Sequence, residues 1–286
     1  MIVYGLINSA ILALMALGFN LTFGISGVAN FSYGAIYVVA GFLTWSLIEI
    51  VHLPFAVSAI ITIVLIGIGG VYLYKAILNR IRGLIISEVI ATFGVALVLL
   101  ELLRTIGFIG FRYSLPPFIK GSVEIFGAYV DIQRLLIIAL GILLILAIYA
   151  FTHYTRIGLA FRAIAQEEHT SLSLGINPER IASLSMGMGS ALGAFAAIVI
   201  LPLGTITVDS GYDVLINALS VCIVGGLGST FGVIIASFII GYAQTLTAMY
   251  LSPHWTMIVS LCAILIILAV KPSGLLGHQK ELEERV

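Results

Sequence analysis

Charge is what this chain has least of. It carries 13 lysines and arginines and 13 aspartates and glutamates in 286 residues, so 9% of it is charged, where an ordinary soluble domain is about 25% charged. That is too little polar side chain to coat a globule of this length, which argues against a water-soluble fold. Formal net charge is zero, and nothing points to nucleic acid. Cysteine is nearly absent: Cys222 and Cys262 lie inside apolar runs and read as small buried hydrophobes, neither a disulfide nor a metal pair. The five histidines form no ligand cluster, and HExxH and GxSxG are both missing. Without a nucleophile, a base or a metal constellation there is no case for a membrane enzyme, and no cofactor or metal is expected. The start of the chain has no basic n-region and no cleavage site, so its first apolar run is expected to be a span and not a removed signal peptide.

What the chain has is long apolar runs, with 61% hydrophobic residues and a mean hydropathy of +1.19. A bilayer core of about 30 Å needs roughly 20 apolar residues in helix. The candidates are Ile2–Phe23, Tyr33–Val51, Phe55–Tyr74, Leu84–Leu103, Leu135–Phe151, Ile181–Leu201, Val214–Val224, Gly232–Tyr250 and Trp255–Val270. Backbone amides find no partner in lipid, so the runs must be helices, and they are continuous where a barrel would alternate. The expected fold is therefore all-α: a polytopic integral membrane protein with eight or nine transmembrane helices, residues 1–286 forming one transmembrane unit. The short run Val214–Val224 is a half-span or merges with the run after it.

Boundary residues agree with these ends. Asn177-Pro178 and Ser252-Pro253 read as an N-cap followed by proline at the first helical position. Pro54 opens the third run, Pro202 closes the sixth and Lys271-Pro272 stops the last. Lys75, Arg80 and Arg82 follow the third run, Arg156, Arg162 and Arg180 the fifth, and Lys271, Lys280 and Arg285 the last. Parity puts these nine on one side, against Arg104, Arg112, Lys120 and Arg134 on the other. The richer side, with the C-terminus, is expected to be cytoplasmic. Nine spans put the N-terminus outside; if the first two runs form one broken element, it is inside.

One long polar stretch breaks the apolar sequence. Arg156 to Arg180 holds Arg162, Gln166, Glu167, Glu168, His169 and Glu179. Ile157, Phe161 and Ile164 recur at spacings of four and three, which predicts a helix with an apolar edge, ended by Gly175 as a left-handed cap within Leu174-Gly175-Ile176. An amphipathic helix held between two spans can lie in a partner's groove and pass force into the membrane. The alternative, a helix resting on lipid headgroups, suits a more basic polar face. On the other side, within Thr105–Arg134, Val123-Glu124-Ile125 and Tyr129-Val130-Asp131-Ile132 flank Gly127-Ala128 and spell a short hairpin. It is either a cap over a pore mouth or an inert loop.

Two glycine-rich breaks, Gly24 to Gly34 and Gly225 to Gly232, interrupt the apolar sequence. Such paired breaks can mark a translocation path where unwound backbone supplies polar groups; tight turns or close helix packing would leave the same trace. The second has no lysine, so it is not a phosphate loop. Gly189-xxx-Gly193, Gly232-xxx-Ala236 and the group Gly67, Gly69 and Gly70 are expected at close helix crossings. Glu49, Glu88 and Glu101 fall near span ends, Glu88 as a cap in a first turn and Glu101 three residues before Arg104, a spacing that allows pairing. The lack of deep carboxylates disfavours a proton-coupled carrier.

Several of these segments, taken in order, resemble the inner-membrane permease subunits of branched-chain amino acid ABC transporters, the H-type more than the M-type. The residues that carry the resemblance are Ala16 to Gly24, Gly27 to Gly34, Ile90 to Gly94, Thr155 to Gly158, Arg162 to Glu167, Leu174 to Ile176, Gly225 to Ser229 and Lys271 to Leu275. The resemblance covers nearly the whole chain. It implies a second permease, as a heterodimer, two cytoplasmic ATPases and an extracytoplasmic solute-binding protein as partners within the lipid bilayer of the cytoplasmic membrane. It also implies that 156–176 is a cytoplasmic coupling segment, and 105–134 is read as an extracytoplasmic loop. By the resemblance Arg156, Gly158, Arg162, Ala163, Ala165, Gln166, Glu167 and Gly175 dock into an ATPase cleft. Two departures stand out: Asn217 replaces a basic residue common in relatives, and Thr170 and Ser171 stand where relatives often have alanine.

The reading that results is a permease subunit of an ATP-driven importer for branched-chain or related hydrophobic amino acids, working by alternating access, with ATP hydrolysis on partner subunits. Relatives also serve urea, short amides and other small solutes, and a self-contained carrier or channel is the competing class. Polarity within spans makes Asn20, Asn30, Ser32, Tyr33, Thr92 and Gln244 candidates for the path, with structural hydrogen bonding as the alternative for each.

Overall fold

Backbone groups that cannot reach water close on one another, and the apolar runs do so as helices. The structure, a computed structural model, describes residues 1–108, 113–118, 121–125 and 128–277, with the backbone alone at 125, 128, 168 and 169. In chain order the apolar helices are α1 (Ile2–Ser26), α2 (Tyr33–Glu49), α3 (Phe55–Ile81), α4 (Ile85–Thr105) and α5 (Ile132–Tyr154). After two short helices, α6 (Arg156–Gln166) and α7 (Glu168–Ser173), come α8 (Pro178–Ile200), α9 (Ser210–Gly225), α10 (Thr230–Tyr250) and α11 (Thr256–Val270). Among the described residues seven are long and apolar enough to cross a membrane, α11 counted with the 3-10 turn ahead of it as Pro253–Val270, while α2 and α9, at 17 and 16 residues, are shorter. At 1.5 Å per residue these two span about 25 Å, less than a hydrocarbon core of about 30 Å.

The run expected to end at Tyr74 continues to Ile81 through one π turn, Tyr74–Leu78, so Lys75 and Arg80 ride on a helix. A charged side chain marks where the lipid ends; it does not stop the backbone ladder. Asn177 caps α8 as expected, its Oδ1 accepting the Arg180 N–H at 3.1 Å. Ser252 makes no cap bond, and Pro253 opens a single 3-10 turn before α11. Glu88 is buried and accepts the Gly83 N–H at 2.9 Å, the cap that its place in a first turn predicts. The hairpin forms with Ser122–Ile125 against Ala128–Asp131, Val123 opposite Val130; Gly127 lies outside the described residues.

Small residues decide which helix is central. α8 is 67% buried and α11 only 6%. A Cβ on Gly18 of α1 would lie 2.6 Å from Gly189 O of α8, and one on Gly70 of α3 2.5 Å from Ser190 Oγ. Gly193 sits under the Tyr33 ring, Gly67 faces Ala191, and Gly69 faces open space. On the far side of α1, a Cβ on Gly241 of α10 would lie 2.7 Å from Ser9 Cα. Glycine thus lets α1 and α8 approach by backbone contact, the packing that lipid favours because it offers no hydrophobic drive between helices. Cys222 is buried, but Cys262 is exposed, against expectation, because it lies on the peripheral α11.

Lys75, Arg80, Arg82, Arg156, Arg162, Arg180 and Lys271 lie toward one end of the bundle, where the last turn of α1, the first of α8 and the end of α3 pack together. Arg104 and Arg134 lie toward the other. Arg112, Lys120, Lys280 and Arg285 are outside the described residues.

Candidate functional site

The two glycine-rich breaks meet at the basic end. α1 stops where Gly27, at φ 68°, donates its N–H to Phe23 O at 2.9 Å, and α9 stops at Gly226, φ 99°. Ser229 Oγ then caps α10 by accepting the Gly232 N–H at 3.1 Å. The turns touch: a Cβ on Gly24 would lie 2.8 Å from Gly228 Cα, and Gly228 N–H donates to Asn20 Oδ1 at 2.9 Å. The chain after α11 closes the other flank. Leu275 and Leu276 donate to Val224 O and Gly225 O at 2.9 and 3.0 Å, which satisfies carbonyls that a helix end leaves open. A Cβ on Gly274 would lie 2.5 Å from Gly226 Cα. Tight turns and close packing, one of the two readings open from sequence, therefore describe both breaks.

Five of the six path candidates gather here. Asn30 Oδ1 accepts the Ser32 N–H at 3.0 Å and the Ser32 hydroxyl. Thr92 Oγ1 accepts the Phe31 N–H at 3.2 Å and donates to Glu88 O at 2.9 Å, tying the α1–α2 turn to α4. Asn20, Asn30, Ser32, Tyr33 and Thr92 are all buried. The Tyr33 ring meets Phe19 edge-on at 5.9 Å, and its hydroxyl, beside Gly18 and Gly193, has no hydrogen-bond partner among the described residues. Gln244 lies apart, toward the opposite end. Its Nε2 donates to Asn217 Oδ1 at 3.0 Å and Ser260 Oγ at 2.7 Å, and its Oε1 accepts from Asn8 at 3.1 Å. Asn217 thus has a partner set that a basic side chain could not serve as acceptor.

The polar stretch after α5 forms two helices where one was expected. Thr155 Oγ1 caps α6, accepting the Gly158 N–H at 3.0 Å, and Gly158 backs onto α5, where its Cβ would lie 2.6 Å from Thr152 Cα. Phe161 and Ile164 are buried, Phe161 edge-on to Phe151 at 5.8 Å, while Ile157 is exposed. At Glu167 the backbone is extended, φ −152° and ψ 115°. Its N–H ends α6 on Ala163 O, and its carbonyl starts α7 by accepting the Ser171 hydroxyl at 2.7 Å. Ser171 thus makes a bond that alanine cannot supply. Gly175, φ 81°, ends α7 as predicted. Arg156, Gln166, Glu167 and Gly175 are exposed; Arg162, Ala163 and Ala165 are half-buried, and Arg162 Nε has no partner among the described residues. Leu159, Leu172 and Leu174 also face outward, at 53%, 51% and 73% exposure.

At the opposite end Arg104 meets Glu101 at 3.3 Å, as their spacing allows, and also Asp209, just before α9. Nothing in the sequence links positions 104 and 209.

The profile of the family described as "Branched-chain amino acid transport system / permease component" matches residues 1–268. The chain belongs to that family. The permease is 27% identical to the high-affinity branched-chain amino acid transport system permease protein LivH of Salmonella typhimurium, over 93% of its own length and 91% of the relative's. It is 24% identical to the corresponding protein BraD of Pseudomonas aeruginosa, over 97% and 95%. With the probable LivH of Methanocaldococcus jannaschii it shares 26% over 95% and 90%. Among solved structures it is similar to PsaBC from Streptococcus pneumoniae in complex with Fab, with a TM-score of 0.52 and 12% identity over 94% of this chain and 91% of that one, a likeness of fold alone. The permease is thus of the LivH type: a polytopic, all-α membrane protein and a transport component.

Proposed function

We propose that the permease is a membrane subunit of an ATP-driven importer that carries branched-chain or related hydrophobic amino acids across the cytoplasmic membrane by alternating access. The observation that carries this reading is the exposed helix pair α6–α7. It sets Leu159, Leu172 and Leu174 in the open beside Gln166 and Glu167 at the end rich in arginine and lysine. Apolar side chains ringed by polar ones suit a protein groove, and the basic end suits the cytoplasm. On this reading 156–176 couples to one of two ATPases, a second permease completes the pathway, and a solute-binding protein docks at the Arg104 end, over the 105–134 loop. Gly158, Ala163 and Ala165 shape the pair, while Arg156, Arg162, Gln166, Glu167 and Gly175 meet the ATPase. The path on this reading runs past Asn20, Asn30, Ser32, Tyr33 and Thr92, with Gln244 toward its other end.

The test is uptake of labelled leucine into liposomes holding the permease with its candidate partner subunits, binding protein outside and ATP inside. Glu167→Arg should abolish co-purification of the ATPase and uptake, with the melting temperature kept. Retained co-purification and normal uptake would overturn the coupling assignment. ATPase stimulation without leucine uptake would move the cargo to urea, an amide or another small solute. Uptake by this chain alone, indifferent to ATP, would make it a carrier.

A further inference from the structure

Between α5 and α11, on a floor made by α1 and α10, lies a crevice of about 360 Å³ at the Arg134 end of the bundle, lined by Tyr4, Ile7, Asn8, Ile11, Arg134, Gln244, Thr245, Ala248 and Thr256. Its two walls belong to the least buried helices, 17% and 6%, so it opens sideways, where the acyl chains of a bilayer would be. Arg134 is its one charged lining residue. The guanidinium sits over the Tyr4 ring at 5.5 Å, and its nearest carboxylate, Asp131, is 3.7 Å from Nε, beyond hydrogen-bond length. Tyr4 is itself tied to the hairpin by a hydroxyl bond to Tyr129 O at 3.3 Å. The cation is therefore held in place by an aromatic face while its terminal nitrogens stay free to form a fork with two oxygens. Further in, Asn8, Thr245 and Thr256 already donate to Gly241 O, Gln244 Oε1 and Pro253 O, which leaves their oxygens as acceptors for a ligand's hydroxyls, and Ile7, Ile11 and Ala248 form an apolar wall.

We propose that this crevice binds an anionic phospholipid of the phosphoglycerol type. The phosphate pairs with Arg134, the glycerol hydroxyls meet the amide and hydroxyl groups, and the upper acyl chain lies along Ile7, Ile11 and Ala248. A volume of about 360 Å³ holds a headgroup and the first carbons of a chain, within the usual range of about 300–1,000 Å³ for ligand sites. Arg134 is the one charged residue among the described lining, so a phosphoglycerol headgroup brings a net negative charge against it, while a choline or ethanolamine headgroup brings no net charge. The inference rests on the membrane fold and not on the cargo.

Native mass spectrometry of the full chain, delipidated and titrated with phosphatidylglycerol or phosphatidylcholine, tests it. The wild type should retain phosphatidylglycerol at a concentration about tenfold lower than phosphatidylcholine. Arg134→Gln should erase that preference, since a charge-assisted hydrogen bond is worth about tenfold or more in affinity. Ala248→Phe should fill the apolar wall and lose the lipid with Arg134 intact and the melting temperature unchanged. Equal retention of both lipids by the wild type, or an unchanged preference in Arg134→Gln, would overturn the proposal. So would equal stabilisation by inorganic phosphate alone, which would make the occupant a free anion.

Discussion

The crossing of α2 and α9 at Gly34 and Gly211 permits a sharp test of backbone packing. A Cβ on Gly34 would overlap the carbonyl oxygen of Gly211 and lie 2.9 Å from its carbonyl carbon and 3.1 Å from Leu215 Cβ. Two of those obstacles are helix backbone, so no rotamer relieves them, and the helices must part along a seam that buries Val38 and Leu215. Overpacking of this kind costs roughly 1–3 kcal/mol, and a backbone obstacle belongs at the upper end. Alanine offsets about 0.5–1 kcal/mol of this through its better helix propensity, which leaves Gly34→Ala about 2 kcal/mol less stable. Gly69→Ala is the control: it lies in a helix too, and its Cβ would meet nothing within 4 Å. Only the propensity gain remains there.

The two variants should therefore differ by about 3 kcal/mol. Since 1 kcal/mol moves a melting temperature by roughly 2–4 °C in a chain of this size, thermal unfolding in one detergent should separate them by roughly 6–12 °C, Gly34→Ala below and Gly69→Ala at or above the wild type. If Gly34→Ala melts together with Gly69→Ala, the α2–α9 seam is not the backbone contact described, and the reasoning fails.

Two further outcomes concern side-chain hydrogen bonds. Tyr33→Phe removes a buried hydroxyl that has no partner among the described residues, so it should keep or raise the melting temperature, because an unsatisfied buried group costs about 1–3 kcal/mol; a fall of several degrees would mean that the hydroxyl is bonded. Gln244→Leu strips partners from Asn8, Asn217 and Ser260 together, and should lower the melting temperature by the equivalent of about 1–3 kcal/mol, a loss whose absence would show that the cluster is not formed.

The helices were legible because lipid leaves the backbone no other choice, and their ends because Asn177-Pro178, Pro54 and Lys271-Pro272 act locally. The hairpin was legible for the same reason, as alternation about a turn. Two kinds of feature escaped. The break at Glu167 is a local turn to extended backbone, φ −152° and ψ 115°, which an apolar period running through Ile157, Phe161 and Ile164 does not register. The Arg104–Asp209 pair and the meeting of Gly24 with Gly228 join positions far apart in sequence, and neither leaves a periodic trace. Small-xxx-small spacing found the close crossings but not their partners: Gly67 and Gly70 meet α8, while Gly69 beside them meets nothing.

The distribution of glycine and polar contacts also says where the molecule is stiff. The joint of the two glycine-rich turns is held by backbone contact on both flanks, with Asn20 on one side and the 271–277 segment on the other. The α6–α7 pair is held differently: Gly158 and Phe161 fasten it to α5, and Asn177 fastens its far end to α8, leaving Glu167 between as an extended link. A push at Glu167 thus has three outlets, α5, α1 and α8, since α6 also packs against α1. The last leads directly into the most buried helix, whose contacts with α1, α2 and α3 run through Gly189, Gly193 and Ser190. Close-packed interfaces of that kind transmit displacement and do not absorb it. In the proposed importer, α8 is therefore the element that would carry an ATPase movement to Tyr33, whose hydroxyl rests against it.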